Sequence, residues 1–291
     1  MFLLRKLILS GILTSWIAIT AAPYAVEVVS ASQSAAPAVS AVATTVTVIV
    51  PHEGAELTVD GQALPGSGTS RSFQAAAAAS GTTHQYTFTV KWNPNTYTVM
   101  TRSKTVAVRA GEPAQVDLTI DDPADRARVI YVPTPPDVVE EMVKLAGITS
   151  DDLVYEPGCG DARITIAAIR RGARRGLCVD IEPARVEDSR AKVKDAGLQD
   201  RIEVRLGDAL DVKDLSDVTV VFLYMGDQFD LLIRPLLWRD LKVGSRIVSH
   251  RFGMGDWTPD RTISVTSPEN VDYLLHLWTV TEDVKRKLEG R

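Results

Sequence analysis

Residues 153–163 read Leu-Val-Tyr-Glu-Pro-Gly-Cys-Gly-Asp-Ala-Arg, and this stretch decides the fold of the second half of the chain. Its short apolar run predicts a strand, and Gly158 and Gly160 predict a tight turn into a helix. Glycine at such a turn permits positive φ and lets the backbone approach a ligand closely. The stretch therefore indicates a binding loop between a strand and a helix.

Three acidic residues stand at or just beyond the ends of predicted strands. Glu156 precedes the loop, Asp180 closes the segment Gly-Leu-Cys-Val-Asp, and Asp208 follows Val-Arg-Leu-Gly. The carboxyl ends of parallel strands meet at one edge of a sheet, where a carboxylate can accept hydrogen bonds from ribose hydroxyls. The alternative is an ordinary α/β turn with solvated acids. Three acids at three strand ends favour a site for a nucleoside cofactor.

The residues around the loop also bear on which cofactor it binds. A dinucleotide is one candidate, but its fingerprint requires a third glycine where Arg163 stands. Phosphate groups prefer a helix N-terminus without a neighbouring acid, whereas Glu156 and Asp161 flank this loop. The two acids suit a positively charged ligand better. S-adenosylmethionine, which carries a sulfonium and an ammonium group and no phosphate, fits that pattern.

Composition excludes several classes of function. The chain has 291 residues, of which 45% are hydrophobic and 24% are charged, which is enough for two globular domains. Its net charge of −5 gives no overall basic field, so no nucleic-acid partner is expected. The two cysteines, Cys159 and Cys178, have no metal-ligand spacing and exclude a disulfide framework. We expect no metal site.

Residues 1–26 are interpreted as a signal peptide or a membrane anchor. Arg5 and Lys6 precede an uncharged run, and Thr20-Ala21-Ala22 offers small residues for cleavage. The run continues to Val26, so an uncleaved anchor stays open. The positive-inside rule then places the rest of the chain outside the cytoplasm, in an exported or membrane-anchored form. If the start or the signal is misread, the location is cytoplasmic.

The next segments are a linker and a small β domain. Residues 27–43 are rich in Ala, Ser and Pro and predict a tether. Residues 44–120 alternate apolar and polar positions between turns, which predicts a sandwich-like all-β domain. Its expected strands are 44–50, 56–59, 82–92, 97–100, 105–109 and 114–120. The run Ala75–Ala79 is expected to form a loop or a short helix. Three aromatic residues of this domain could form a ligand platform, but packing in the core or on a strand face is the expected role. They are Tyr86, Trp92 and Tyr97.

Three stretches of this domain resemble a short uncharacterised β domain of exported planctomycete proteins. They are Ala-Glu-Leu-Thr-Val-Asp-Gly at 55–61, Thr-Ser-Arg-Ser-Phe at 69–73 and Gln-Tyr-Thr-Phe at 85–88. That resemblance implies no activity.

Beyond a charged linker at residues 121–130, the pattern changes to alternating strands and helices. Residues 131–291 therefore predict an α/β domain, with a mostly parallel Rossmann-like sheet and helices on both faces. Thr134 is predicted to cap the first helix, with Pro135 at its first position, and Gly147 to end it. The expected strands are 153–155, 176–180, 202–206, 218–224, 245–250, 263–266 and 271–280, and the further helices are 162–171, 183–196 and 228–241.

The motifs of this domain resemble class I S-adenosylmethionine-dependent methyltransferases. The resemblance is closer to the lysine methyltransferases of the ATP synthase c-subunit and of adenine nucleotide translocase, and it covers roughly Tyr131 to Trp257. Two departures are that Ala162 replaces the third glycine and that Glu156-Pro157 replaces the usual Asp-Leu. The stretches that carry the closer resemblance are Tyr-Val-Pro-Thr-Pro at 131–135, Gly-Asp-Ala-Arg-Ile at 160–164, Val-Phe-Leu-Tyr at 221–224 and Val-Ser-His-Arg-Phe-Gly-Met-Gly-Asp-Trp at 248–257.

The resemblance implies roles for the cofactor residues. Glu156 would orient the loop and meet the methionine ammonium, and Gly158 and Gly160 would pass under the methionine and ribose. Asp180 would hold the ribose hydroxyls, and Asp208 would face the adenine amino group. Two more residues complete the expected cofactor set, in the loop and in a lid over the pocket: Asp161 and Thr134.

The resemblance also implies that Tyr224 faces the methyl acceptor. The expected acceptor is a protein lysine, and one possibility is a lysine of a membrane protein. A lysine must be neutral to attack, so a proton-accepting carboxylate is expected. His250 is an alternative base, although a structural role against Trp257 or backbone is favoured. The candidates for this carboxylate are Asp227, Asp256 and Asp137, which the sequence does not rank as proton acceptors. Asp227 is named with Tyr224 as a candidate catalytic residue.

Two other functions stay open at this point. One is methylation of a small molecule in the same pocket. The other is an exported, envelope-associated binding or scaffold protein with an inactive methyltransferase-like domain. The export signal favours the second, because a charged methyl donor made in the cytosol does not cross membranes freely. The acids at the strand ends favour an active enzyme.

Overall fold

A computed structural model describes residues 41–268 and 270–289 of the chain. Its first part, residues 41–129, consists of strands. The longer strands alternate more exposed and more buried positions along part of their length, as a half-buried sheet requires. The strands are β1 (Ala41–Ile49), β2 (Glu56–Val59), β3 (Gln62–Ala63), β4 (Ser70–Ala79), β5 (Thr83–Trp92), β6 (Thr98–Arg109), β7 (Ala114–Asp117) and β8 (Arg126–Val129).

Within residues 41–129 these strands form two sheets, in the orders β4-β1-β7 and β3-β2-β5-β6-β8. Val46 and Val48 of β1 share one apolar core with Phe88 and Val90 of β5. The inner faces of the two sheets therefore pack against each other, which is the arrangement of a sandwich.

The prediction for Ala75–Ala79 is wrong, because this run lies in β4. Ala75 is buried and pairs with Thr44 in an antiparallel ladder with β1. Pairing with a neighbouring strand thus overrides the helix propensity of alanine. The boundaries at the end of this part also differ from expectation. The expected strands 97–100 and 105–109 are one continuous strand, β6, and β8 lies in the predicted linker and pairs with β6.

The second part alternates strands and helices as expected. Its elements are α1 (Pro136–Ala146), β9 (Leu153–Pro157), α2 (Arg163–Arg171), β10 (Arg175–Asp180), α3 (Pro183–Asp195), β11 (Ile202–Leu206), a 3₁₀ turn (Ala209–Asp211), β12 (Val220–Leu223), α4 (Asp227–Asp240), β13 (Arg246–His250), β14 (Arg261–Thr266), β15 (Asp272–Thr279) and α5 (Glu282–Glu289).

The described strands of this part form one sheet, in the order β11-β10-β9-β12-β13-β15-β14. Neighbouring strands from β11 to β13 are parallel, and β15 is antiparallel to both β13 and β14. Helices α1, α2 and α3 cover one face of the sheet, and α4 and α5 cover the other. The strand order reverses at β9, so a crevice opens between the carboxyl ends of β9 and β12.

The start of α1 differs from the prediction in one respect. The residue that caps the helix is Pro135, with no hydrogen bond from a capping side chain, so the expected capping role of Thr134 is wrong. The Thr134 hydroxyl lies instead 3.2 Å from Nδ1 of His250. The end of α1 is as expected, because Gly147 adopts φ 62° and its N–H is bonded to the carbonyl of Lys144.

The predicted signal or anchor at residues 1–26 lies outside the described residues, as does the predicted tether at 27–43 up to residue 40. Residues 41–43, predicted as the end of the tether, belong instead to β1. Among the helices that the structure does describe, none is both long enough and apolar enough to span a membrane.

Candidate active site

The loop after β9 has positive φ angles at three alternate positions. Gly158 has φ 64°, Gly160 has φ 59° and Ala162 has φ 60°. The N–H of Gly158 donates to the carbonyl of Val179, 2.7 Å away, which fixes the loop to β10. Between this loop and β12 lies a cavity, whose lining includes Glu156, Asp180, Asp208 and Tyr224.

Ala162 holds a conformation that normally favours glycine. A left-handed alanine costs about 1–2 kcal/mol. Ala162 is fully buried, however, and its methyl group contributes about 0.8 kcal/mol by burial. Alanine also removes about 0.4–1 kcal/mol of chain entropy from the unfolded state relative to glycine. These effects nearly cancel, so the loop keeps its shape without the third glycine.

Glu156 lies beneath the loop, 5% exposed. Its Oε2 accepts hydrogen bonds from the backbone N–H and the hydroxyl of Thr165, at 2.9 and 2.5 Å. These bonds join the end of β9 to the first turn of α2. Burial raises the pKa of Glu156 to about 8, although the bonds from Thr165 act in the opposite direction.

Asp161 is already paired with cations of the protein. Burial acts to raise its pKa, but the hydrogen bonds and charges of Arg163 and Lys192 hold the pKa well below its usual range. Arg163 in turn donates from Nη1 to the carbonyl of Thr134, 2.8 Å away. Asp161 therefore fixes Arg163, and through it the segment that leads into α1.

Asp180 and Asp208 both line the cavity at the carboxyl edge of the sheet. Oδ2 of Asp180 accepts from the N–H of Gly160 at 2.9 Å, and Oδ1 accepts from the N–H of Glu182 at 2.9 Å. Burial raises the pKa of Asp180. Oδ1 of Asp208 accepts from the N–H of Leu210 at 2.9 Å, which caps the 3₁₀ turn.

Residues 126–134, here called the strap, run along the same edge of the sheet. Arg126 lies 3.4 Å from Oδ2 of Asp208, and Arg128 forms an ion pair with Glu182. Tyr131 lies against Gly160 so closely that a Cβ on that glycine would be 2.1 Å from its ring. With the strap in this position, the cavity encloses about 80 Å³. The strap thus lies directly over the glycine loop.

The far end of the cavity is aromatic. Tyr224 lines it and stacks on His250, with ring centroids 3.9 Å apart, and on Phe252 at 5.9 Å. Phe252 also contacts Tyr97 of the β part at 5.7 Å. Burial raises the pKa of Tyr224, with Arg251 acting in the opposite direction, so the hydroxyl is protonated at neutral pH.

His250 is fully buried at this end. Burial, with a smaller contribution from Arg251, lowers its pKa to about 4, so the ring is neutral at pH 7. Nε2 of His250 has no hydrogen-bond partner among the described residues. The expected contact with Trp257 is wrong, since His250 contacts Thr134, Tyr224 and Tyr273 instead.

The three carboxylates predicted as bases are distributed differently. Asp227 is exposed at the start of α4, three residues after Tyr224, and Oδ1 accepts from the N–H of Gly253 at 3.2 Å. Asp256 forms an ion pair with Arg234 at 2.6 Å. Asp137 lies in the first turn of α1. None of the three lines the cavity as the structure describes it.

Sequence reasoning misses the strap arginines and the position of Tyr97. Arg126 and Arg128 fall in the segment 121–130, whose pattern predicts a linker. Two arginines at alternate positions do not indicate which acidic residues they pair with. Tyr97 is expected from the sequence to pack within the β part. Within the described residues, no cluster of His, Cys, Asp or Glu side chains has the geometry to bind a metal ion.

Comparison with known proteins identifies the family. A model of the ANTKMT methyltransferase domain matches residues 156–261. A protein-lysine N-methyltransferase of Saccharolobus islandicus is 34% identical over 155 residues, which are 53% of this chain and 95% of that protein. The chain belongs to the ANTKMT methyltransferase family. The resemblance noted in the sequence is thereby confirmed, and the protein is an S-adenosylmethionine-dependent methyltransferase.

The chain is also similar to a human enzyme and to a solved structure. The human lysine N-methyltransferase of the ATP synthase c-subunit is 28% identical over 130 residues, which are 45% of this chain and 54% of that protein. Among solved structures, an RNA methyltransferase of Salinibacter ruber in complex with S-adenosyl-L-homocysteine is 39% identical, with a TM-score of 0.49, and covers 52% of this chain and 95% of that one. The likeness of the β part to planctomycete proteins stays a prediction.

The residues of this methyltransferase suit its cofactor chemically. Each carboxylate oxygen of Asp180 accepts one N–H bond and retains lone pairs for hydroxyl donors. Gly158 and Gly160 leave the face of the loop without side chains of its own. Asp180 and Asp208 line the same cavity as Tyr224. The donor set therefore fits a nucleoside with a positively charged tail.

Proposed function

We propose that this methyltransferase modifies the ε-amino group of a protein lysine. The observation that carries the proposal is a single cavity that joins the acids at three strand ends to Tyr224. The names of the Saccharolobus and human relatives, both lysine N-methyltransferases, support a lysine acceptor.

In this proposal the strand ends hold the cofactor. Asp180 binds the ribose hydroxyls, Asp208 faces the adenine, and Gly158 and Gly160 lie under the ribose and methionine. Glu156 keeps the loop in place through Thr165 and presents its carboxyl group toward the ammonium. Asp161, because it is paired with Arg163 and Lys192, acts by fixing the Thr134 end of the strap rather than by direct contact.

The strap moves when the cofactor enters. Sites for ligands of this size occupy about 300–1,000 Å³, and the cavity under the strap encloses about 80 Å³. Tyr131 fills the space against Gly160, and Arg126 occupies Asp208. Both contacts give way in the bound state, which frees the glycine loop and the carboxylate for the ligand.

When bound, the cofactor supplies a methyl group on a sulfonium, which the lysine nitrogen takes in an in-line displacement that leaves a neutral thioether. The protein contributes alignment of nitrogen and methyl carbon, which supplies much of the rate in such a reaction. The attack requires a neutral amine, so the lysine must lose its proton before transfer. Asp227, exposed and close in the chain, is the carboxylate that takes the released proton to solvent.

Transfer of an isotopic label tests the acceptor class. The full-length protein is incubated with S-adenosylmethionine that carries a deuterated methyl group and with cell lysate, and proteins and metabolites are analysed by mass spectrometry. The proposal predicts label on lysine side chains. Label found only in small metabolites rejects the lysine acceptor and favours a small-molecule methyltransferase. A membrane-protein acceptor predicts that the labelled peptides come from the membrane fraction.

The location of the enzyme is a separate part of the proposal. We propose that residues 1–26 direct the chain to the membrane, as an export signal or an anchor. Cell fractionation with N-terminal sequencing checks this. An intact membrane-bound form whose C-terminal part is protected with the cytosol gives the enzyme access to its methyl donor. A mature N-terminus near residue 23 in an extracytoplasmic fraction favours the exported scaffold alternative instead.

A further inference from the structure

A turn of the β part contacts the start of α4 and the strap. In this turn, residues 93–97, Nδ2 of Asn95 donates to Oε1 of Gln228 at the start of α4, 3.2 Å away. The ring of Tyr97 lies so near Gly226 that a Cβ there would be 3.3 Å from it. The carbonyl of Tyr97 also accepts from the N–H of Ile130 in the strap, at 3.0 Å. Contacts on both sides therefore fix the position of the Tyr97 ring.

Three aromatic rings from distant segments form a row at this place. Tyr97 lies 5.7 Å from Phe252, and Phe252 lies 5.9 Å from Tyr224, measured between ring centroids. The rings of Phe252 and Tyr224 are nearly parallel, with 24° between their planes. All three side chains are only partly buried. We call Tyr97, Tyr224 and Phe252 the aromatic wall.

The aromatic wall is not explained by packing of a core. In the described residues, none of its three members belongs to an apolar core cluster, whereas Tyr86 and Trp92 of the same β part pack against the core of the sandwich. Packing alone would place these rings with the other apolar side chains. Instead, Tyr224 lines the cavity, Phe252 stacks on Tyr224, and Tyr97 contacts Phe252.

The faces of these rings are also free of internal cations. Elsewhere in the described structure, arginine guanidinium groups lie over the rings of Trp92, Tyr131 and Trp238, at 5.2, 4.9 and 4.8 Å. No described lysine or arginine occupies a ring of the aromatic wall in this way. His250 covers one face of Tyr224, so the ring faces that remain available for a cation from outside the chain are those of Tyr97 and Phe252.

We propose that the aromatic wall binds the alkylammonium head of the acceptor, and that Tyr97 makes the β part a component of the acceptor site. This inference rests on the proposed lysine methylation. Aromatic faces attract ammonium and methylated ammonium groups, most strongly where water is partly excluded. During transfer, positive charge develops on the acceptor nitrogen, and rings facing that atom stabilise it. The same rings pack against the apolar stem of the lysine.

A binding experiment that requires no turnover tests this inference. The cationic probe is tetramethylammonium, and the neutral probe of similar shape is neopentyl alcohol, whose hydroxyl group makes it soluble. Each is titrated into the full-length protein in the presence of S-adenosylhomocysteine. Tyr97→Leu keeps apolar bulk but removes the π face, and Tyr97→Phe keeps the ring. Tyr86→Leu is the matched control, because Tyr86 contacts Phe73 and His84 within the β part.

We expect the cation to bind the wild type, Tyr97→Phe and Tyr86→Leu alike, and to bind Tyr97→Leu about 3- to 30-fold more weakly. The neutral probe should not distinguish the four proteins. With a labelled lysine peptide, Tyr97→Leu should lower kcat/KM by a similar factor and leave the affinity for S-adenosylmethionine unchanged.

Equal binding of the cation by wild type and Tyr97→Leu overturns the inference. If Tyr97→Leu does not fold, Phe252→Leu takes its place with the same expectations. Failure of the proposed function gives a different result. If the wild type binds the cation through Tyr97 but methylates no lysine, the aromatic wall stands as a cation site and the proposed lysine acceptor is rejected.

Discussion

The two ends of the cavity are built in contrasting ways. At the cofactor end, buried carboxylates such as Glu156 and Asp180 accept bonds from the backbone, and each contact lies within one βα unit or between neighbouring strands. At the acceptor end, half-buried rings come from the segments beside β6, β12 and β13, and the Nε2 atom of His250 lacks a partner among the described residues. One end is fixed by the sheet itself, and the other is assembled from separate parts of the chain.

This difference separates two kinds of contact. In the proposed function, the cofactor contacts belong to the sheet edge, whereas the acceptor contacts come from loops and from the β part, which can vary without disturbing the sheet. Variants at the two ends should therefore change different quantities, namely the affinity for the cofactor and the handling of the acceptor.

The largest expected effect on cofactor affinity is at Asp180. In Asp180→Asn the amide oxygen can accept the bond from Gly160 or the bond from Glu182 but not both, and the amide nitrogen that replaces the other oxygen is no acceptor for the ribose. We expect the binding of S-adenosylmethionine to weaken by about 1.5–3 kcal/mol, or roughly 10- to 150-fold. Isothermal titration calorimetry measures this, with exposed Asp195→Ala on α3 as the control. Unchanged affinity in Asp180→Asn would remove the acid from the cofactor site.

Glu156 should make the stability of the protein fall as the pH rises from 4.5 to 8. Its pKa is about 8 in the folded protein, against an ordinary value of 4.5, so the folded state binds more protons between these values. Stability should then be full at low pH and fall by up to about 1.4 kcal/mol per pH unit from pH 4.5 to 8. Glu156→Gln keeps an acceptor for Thr165 and should flatten this slope, which urea unfolding at a series of pH values would reveal. Parallel slopes in the two proteins would contradict the buried, protonated carboxyl.

His250 should give the acceptor end the opposite dependence. Its pKa is lowered to about 4 from 6.5, so the unfolded state binds more protons between these values. Stability should be full above pH 6.5 and be lost as the pH falls toward 4, by up to about 1.4 kcal/mol per unit. His250→Asn retains a polar group near Thr134 and should remove that loss in the same unfolding series. A variant that keeps the acid-side loss would place the titrating group elsewhere.

How far the sequence predicts the structure follows the same contrast. The loop at 156–161 and the acids Asp180 and Asp208 are predictable, because each lies within a short βα pattern with a fixed spacing. The row from Tyr97 to Phe252 is not, because it depends on how the β part meets α4. The run Ala75–Ala79 shows the same limit, since only the neighbouring strand β1 decides that it is a strand. Thr134 fits the pattern of a helix cap, yet His250, distant in the chain, contacts it instead.

The smallest effect is expected in the strap. Replacing Arg126 and Arg128 together by alanine removes ion pairs to Asp208 and Glu182 at the cofactor end. Exposed pairs contribute about 0.2–1 kcal/mol each, so the association rate of S-adenosylmethionine should rise roughly 1.5- to 5-fold per pair. Stopped-flow fluorescence measures the rate. Arg109→Ala, which breaks an exposed pair with Glu112 in the β part, should leave it unchanged. A slower association in the double variant would show that the arginines guide the ligand in rather than hold the strap down.

The most direct test of the account is an experimental structure of the full-length protein with S-adenosylhomocysteine. We expect the ribose hydroxyls on Asp180, the adenine beside Asp208, Tyr131 moved away from Gly160, and the sulfur directed toward Tyr224 and the aromatic wall. A nucleoside bound away from Asp180, or a sulfur that faces away from Tyr224, would contradict the assignment of the two ends of the cavity.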